Sequence, residues 1–245
     1  MSTSLLRRRK APASRDPRRP LPKIDRPNVE HIVTEDDTPV DNIYSAKQQK
    51  LLTEPLTASW DGGGKPFLTA ANIGLYNTPT DAAIVPDVVL ALDVRPLGPP
   101  KYKRNRAYFF WMIGKPPDAA FEIVSNKKGG ELDEKREKYA FLRVPYYIVW
   151  DPSDFLKINK LRIHTLYETR YVQTDNTFLP GVGLGLKIWK GDFDDWDVEW
   201  LRGCDHKGNL LPTGAEQRVR ADRERKRADK LAAKLKSLGI DPDTV

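Results

Sequence analysis

Two acidic residues interrupt apolar segments that the sequence predicts to be buried strands. Asp87 follows Pro86 in a stretch rich in valine and alanine, and Glu122 lies within the segment 118–125. A carboxylate in such surroundings carries a large desolvation cost unless it is paired with a cation or binds a metal ion. These two residues are therefore the first candidates for chemistry.

The spacing of the acids favours a shared cleft. Side chains two apart on a strand point to the same face, so Asp118 and Glu122 share a face with Ala120 between them. If the strands of Asp87 and Glu122 are neighbours, their carboxylates meet at one divalent ion, and magnesium prefers oxygen ligands of this kind. Lys135, on a predicted helix after Glu122, is positioned to reach back and neutralise charge on a phosphate.

The pattern alone leaves simpler interpretations open. A proline followed by an aspartate at the start of a strand is often a turn or a cap, and a single buried glutamate is often paired with an arginine. Both interpretations predict a structural role for Asp87 and Glu122, without a metal ion.

Four segments, taken in order, resemble the Uma2 family of restriction endonucleases. They are Pro-Asp-Val-Val at 86–89, Gly-Lys-Pro-Pro-Asp-Ala-Ala-Phe-Glu-Ile-Val-Ser at 114–125, Glu-Leu-Asp-Glu-Lys-Arg-Glu-Lys-Tyr at 131–139, and Val-Pro-Tyr-Tyr-Ile-Val-Trp-Asp-Pro at 144–152. The charged C-terminal segment is also similar to that of many members. The resemblance covers residues 43–200 and implies an α/β, restriction-endonuclease-like fold of the PD-(D/E)xK type, with a mixed central sheet flanked by helices.

The resemblance also implies roles for individual residues. Asp87, Glu122 and Asp118 would match the acidic residues that hold the metal ion, which is Mg²⁺ or Mn²⁺. The wider superfamily has a lysine two residues after the second acid, but that position is Val124 here. The resemblance assigns the role of that lysine to Lys135 instead, so the implied catalytic residues are Asp87, Glu122 and Lys135.

The implied function is metal-dependent endonuclease cleavage of DNA phosphodiester bonds. The alternative is a catalytically inactive nuclease fold that binds nucleic acid or protein through its basic ends. A basic loop beside the proposed cleft is a candidate DNA contact, and an aromatic run, 108–111, follows it. Its rings either stack on bases or belong to the core, and the loop is either a phosphate contact or merely solvated. The candidate DNA-binding residues are Lys101, Lys103, Arg104 and Arg106.

Charge and composition divide the chain into three parts. The net charge of +7 is concentrated at the two ends, so a nucleic-acid role for the middle requires a local basic patch. Residues 1–42 are predicted to be a disordered basic tail because they hold few apolar residues. Residues 43–204 are predicted to form the nuclease domain, and residues 205–245 a linker and a charged helix. That helix carries apolar residues at coiled-coil spacing, consistent with a homodimer: Ala228, Leu231, Leu235 and Leu238.

The remaining composition excludes other classes. Cys204 is the only cysteine, so an intrachain disulfide and a thiolate zinc site are excluded and a reducing, cytoplasmic compartment is expected. No apolar run is long enough to span a membrane. The sequence predicts a helix at 43–56 limited by Pro55, strands at 82–92, 118–125 and 144–150, a hairpin at 161–174, and an acidic surface segment at 191–200.

Overall fold

The computed structural model describes residues 21–31, 42–95, 98–99, 101–125, 130–238 and 241. The helices are α1 (Ile43–Ser59), α2 (Phe110–Ile113), α3 (Gly130–Phe141) and α4 (Gly214–Ser237). The strands are β1 (Phe67–Ala71), β2 (Leu75–Tyr76), β3 (Val88–Leu92), β4 (Tyr108–Phe109), β5 (Ala119–Ile123), β6 (Tyr146–Trp150), β7 (Leu161–Tyr167), β8 (Arg170–Thr174), β9 (Phe178–Leu179), β10 (Leu184–Phe193) and β11 (Trp196–Cys204).

The largest sheet is mixed, as the sequence predicted. Its strand order is β1-β3-β5-β6-β7-β8. Strands β5 and β6 pair in parallel, and the other neighbours pair antiparallel. A parallel pair requires a crossover connection, and α3 is the helix of that crossover. A sheet of β9, β10 and β11 and a two-stranded sheet of β2 and β4 complete the described strands.

The central sheet lies between two helices because its strands are apolar on both faces. Leu52 and Leu56 of α1 pack with Phe121 in one buried cluster. Tyr139 and Leu142, from α3 and the turn after it, pack in the other cluster. Strands that are apolar throughout, with successive side chains packing on opposite faces, are typical of a sheet covered on both sides. The fold is therefore an α/β architecture with helices flanking a mixed sheet.

Several predicted elements differ in extent. The predicted helix at 43–56 continues past Pro55 to Ser59, because Pro55 and Leu56 are buried and this packing compensates for the hydrogen bond that a proline removes. The strand predicted at 82–92 is regular only from Val88. The segment 191–200, predicted to be a surface segment, belongs to a long antiparallel hairpin of β10 and β11.

Three of the four residues of the aromatic run 108–111 are part of the core, so these three do not stack on bases. Tyr108 and Phe109 are fully buried and Phe110 nearly so. The predicted disordered tail is also partly ordered, because Val29 is buried in a third cluster with Phe109. The rest of that tail, residues 1–20 and 32–41, lies outside the described residues. Within the part of the chain that the structure describes, no helix is long and apolar enough to span a membrane.

Candidate active site

The two candidate acids lie opposite one another on neighbouring strands. The register of β3 against β5 pairs Val88 with Phe121, so Asp87, one residue earlier, lies across from Glu122, one residue later. The Asp87 carboxylate also bonds to the neighbouring strand, since its Oδ2 accepts a 2.6 Å hydrogen bond from the backbone N–H of Ile123. The neighbouring strands that the sequence analysis required are therefore present.

Two side chains of α3 hold the Glu122 carboxylate. The Lys135 ammonium donates to Oε2 at 2.8 Å, and the Tyr139 hydroxyl donates to Oε1 at 2.7 Å. Lys135 and Tyr139 are four residues apart and so lie on the same side of the helix. The carboxylate is 4% exposed and the lysine side chain 25% exposed, so the lysine forms the open side of the site. The cationic partner of Glu122 is thus a lysine from the following helix, whereas the alternative interpretation named an arginine.

Burial changes the protonation of this group. It raises the pKa of Glu122 from 4.5 to about 7, Lys135 opposes that rise, and the negative charge of Asp87 adds to it. Burial and the neighbouring Glu122 also raise the pKa of Tyr139 well above its usual value. The tyrosine therefore stays a hydrogen-bond donor at neutral pH, and the two acids repel one another in a poorly solvated place.

Gln49 of α1 is the residue that the sequence analysis missed. Its side-chain nitrogen donates to Asp87 Oδ1 at 2.9 Å, and it forms a reciprocal amide pair with Asn72, with distances of 3.2 Å and 3.0 Å. Residues 43–52 of this helix contain no acid, so residue type alone indicates no candidate ligand there. A buried glutamine on the helix face that packs against the sheet was the available signal.

Asp118 does not join the other two acids. Its Oδ2 accepts hydrogen bonds from Lys115 at 2.6 Å and from the backbone N–H of Leu92 at 2.7 Å. It precedes β5, whereas Glu122 is near the end of that strand, which separates them by about 13 Å at the rise of a strand. The expectation that Asp118 shares the cleft is corrected: it shares the face of the strand but lies at the opposite end.

The basic loop has partners of its own. Lys103 donates to the backbone carbonyl of Glu30 at 2.6 Å, and the guanidinium of Arg104 lies 4.6 Å from the ring centre of Tyr102. Lys101 and Arg106 are exposed. These contacts give the loop a defined shape, and its role in DNA binding stays a prediction.

The donor set suits one magnesium ion. Magnesium commonly takes one or two carboxylates and completes its coordination with water and substrate oxygens. Asp87 and Glu122 supply two, and the charge of Asp87 already raises the pKa of Glu122, so a cation between them would relieve a repulsion present in the fold. Among the described residues, no group of three or more metal-ligating His, Cys, Asp or Glu side chains is found. Asp87 and Glu122 would therefore be the only acidic protein ligands from that part of the chain.

Comparison with known proteins matches the chain to a family and to solved structures. The sequence model of the family described as "Uma2: Putative restriction endonuclease" matches residues 32–185. A crystal structure of "a putative nuclease belonging to DUF820" from Anabaena variabilis matches with a TM-score of 0.38 and 11% identity, covering 60% of this chain and 74% of that one. No curated protein matches the sequence.

Proposed function

We propose, on the premise that the chain belongs to the Uma2 restriction endonuclease family, that it is a metal-dependent endonuclease that hydrolyses phosphodiester bonds of DNA. The observation that carries this proposal is the placement of Asp87 across from Glu122 with Lys135 on the open side of the pair. Two carboxylates on adjacent strands beside an ammonium group suit phosphate hydrolysis. A structural ion pair would require only one of the two acids.

Asp87 and Glu122 are the residues that would hold Mg²⁺ or Mn²⁺. A divalent ion held there would neutralise the charge that develops on the scissile phosphate. The donors around each acid keep the pair oriented: Gln49 and the N–H of Ile123 fix Asp87, and Tyr139 fixes one oxygen of Glu122. Such fixed groups need little reorganisation when the substrate enters.

Lys135 is the residue that we assign to the phosphate. Its ammonium is now paired with Glu122 Oε2. If Glu122 held a divalent ion, the Lys135 ammonium would remain beside the same site and would stabilise negative charge on a non-bridging phosphate oxygen or orient the attacking water. The basic loop at Lys101, Lys103, Arg104 and Arg106 is proposed to contact the DNA backbone farther from the bond that is cut.

The experiment is a cleavage assay on supercoiled plasmid and branched DNA with Mg²⁺ and with Mn²⁺. The wild-type protein is expected to cut, and Glu122→Gln and Asp87→Asn are expected to lose cutting while keeping the fold. Glu137→Gln is the matched control, since Glu137 is an exposed acid on α3. Intact DNA with both metals would contradict the proposal for these substrates. DNA binding without cutting would favour the inactive nuclease fold instead.

A further inference from the structure

One row of paired residues crosses the central sheet beside the acid pair. Glu122 on β5 pairs with Val149 on β6, and Val149 pairs with Arg162 on β7. Directly paired residues send their side chains to the same face of a sheet. Arg162 therefore lies on the face of Glu122, two strands away, which corresponds to about 10 Å at the usual spacing between strands.

The Arg162 side chain has hydrogen-bonding capacity that the described residues do not satisfy. Its Nε and Nη2 are buried and have no hydrogen-bond partner, although the residue as a whole keeps part of its surface exposed. A guanidinium is charged at all ordinary pH values and carries five donors. Buried donors without partners destabilise a fold, and native proteins hold few of them. Two unpartnered donors on one charged side chain make Arg162 a candidate contact for an anionic ligand.

A second arginine lies near Arg162. Arg136 of α3 acts with it on the same two neighbours: both guanidinium groups oppose the burial that raises the pKa of Tyr147, and both add to the burial that lowers the pKa of His164. Arg136 itself forms an exposed ion pair with Asp133 at 3.2 Å. Lys135, Arg136 and Arg162 are thus three cationic groups among the described residues on this side of the sheet.

We propose that Arg162 binds a phosphate group of the DNA strand next to the phosphate at the Asp87–Glu122 pair. This inference rests on the proposed function, because it takes DNA as the substrate. The fork of a guanidinium fits two phosphate oxygens, and a hydrogen bond between two charged groups is stronger than one between neutral groups. The backbones of the two strands are about 10 Å apart at the usual spacing between strands, which leaves room for one phosphate at the acids and a second at the arginine.

We expect the DNA substrate, and no group of the described protein, to occupy the phosphate site at Arg162. Arg162 is partly exposed, so a phosphate approaches from its open side and the Nε and Nη2 edge turns toward it. Arg136 contributes charge nearby, and Lys135 remains with the phosphate at the acid pair. The arginine therefore acts in positioning the strand and has no part in breaking the bond.

The test measures binding and stability separately in Arg162→Met, Arg162→Lys and the control Arg170→Met. Arg170 is an exposed arginine at the start of β8. Each change is made in full-length Glu122→Gln protein, and binding of a fluorescent double-stranded oligonucleotide is followed without divalent metal at several salt concentrations. Arg162→Met is expected to weaken binding about tenfold and to lower the salt dependence by about one released counterion.

Stability distinguishes a binding residue from a structural one. Arg162→Met is expected to melt at the temperature of the Glu122→Gln parent or above, because it removes unsatisfied buried donors. Arg162→Lys keeps the charge without the fork and is expected to bind with intermediate affinity. Arg170→Met is expected to bind like the parent protein.

Unchanged affinity and salt dependence in Arg162→Met would overturn the inference, and so would a loss of stability without weaker binding. Failure of the parent protein to bind the oligonucleotide would overturn it too. These outcomes are independent of cleavage. A wild-type protein that binds DNA and cuts none contradicts the proposed function alone, and the Arg162 comparison still decides the inference.

Discussion

The Lys135 ammonium lies 2.8 Å from Glu122 Oε2, although the two residues are thirteen positions apart and belong to different elements. The strand position two residues beyond Glu122 is occupied by Val124, which is buried. A cation supplied by a helix that packs over the strand thus reaches the carboxylate from above the sheet. The following predictions test what this pair and its neighbours do.

Loss of the Lys135 ammonium should slow cleavage more than it weakens DNA binding. Lys135→Met removes the positive charge beside the proposed reacting phosphate, and a lost electrostatic contact of this kind lowers kcat by about a hundredfold. The measurement is single-turnover cleavage with saturating enzyme. Lys138→Met is the control, because Lys138 is on the same helix with a side chain that is 59% exposed. Equal rates for the two variants would remove Lys135 from the mechanism.

The stability of the metal-free protein should fall as Glu122 loses its proton. Burial raises the pKa of this residue from 4.5 to about 7 in the folded protein, so the folded state holds the proton more tightly than the unfolded state does. The stabilisation that this provides is complete below about pH 4.5 and is lost as the pH rises through about 7. The free energy of unfolding in urea is measured for the wild type and for Glu122→Gln across this pH range. The value for the wild type should fall relative to that of Glu122→Gln as the pH rises.

The matched control for that titration is Glu137→Gln, which changes an exposed acid on α3. Its unfolding free energy should follow the wild-type pH profile. A difference between wild type and Glu122→Gln that stays constant from about pH 4.5 to about 7 would show that Glu122 titrates in its ordinary range, contrary to the effect of burial.

A third carboxylate next to Asp87 should make the thermal stability of the protein depend on a bound metal ion. Gln49→Glu replaces the amide that donates to Asp87 with an acid, which repels Asp87 in the metal-free state and adds an oxygen ligand for a cation. The melting temperature should fall without metal, and the increase on adding Mn²⁺ should exceed that of the wild type. Gln173→Glu, at an exposed position of β8, is the control. An unchanged response to Mn²⁺ would place Gln49 outside the metal site.

Replacement of Asp118 should lower the stability of the fold and leave the affinity for metal unchanged. Asp118→Asn weakens the contacts with Lys115 and the N–H of Leu92, which should lower the free energy of unfolding by about 1 kcal/mol. Calorimetric titration with Mn²⁺ should give the wild-type affinity. A large loss of affinity in this variant would restore the prediction that Asp118 is a metal ligand.

Self-association through α4 should strengthen with salt. The helix exposes Leu231 and Leu238 at the spacing that the sequence analysis connected with a homodimer. Arg227 and Lys234 flank that row of apolar residues, so two copies repel one another at low ionic strength. Sedimentation velocity at about 50 mM and about 500 mM salt, where screening lengths differ severalfold, should show more dimer at the higher concentration. Leu235→Glu should abolish it, and a dimer that dissociates with salt would contradict this interface.

The architecture was accessible from the sequence because its signals are local. Apolar runs around Asp87 and Glu122 predicted buried strands, and a charged amphipathic stretch predicted α3. Since side chains alternate along a strand, the face of Glu122 followed from its position alone. Segments with a mixed signal were predicted less well: the acidic, aromatic stretch at 191–200 was predicted to be a surface segment, but it contains the turn of the hairpin of β10 and β11, whose strands follow one another along the chain.

The sequence by itself identified Asp87, Glu122 and Lys135 as the candidate residues for chemistry, because residue type and strand periodicity can be read directly from it. Only the tertiary structure decided which other residues lie next to them. Pairing of β3 with β5 brought Asp87 across from Glu122 and left Asp118 at the other end, and helix packing brought in Gln49 and Tyr139. Contacts of this kind join elements that are distant along the chain, and no local pattern encodes which strands become neighbours.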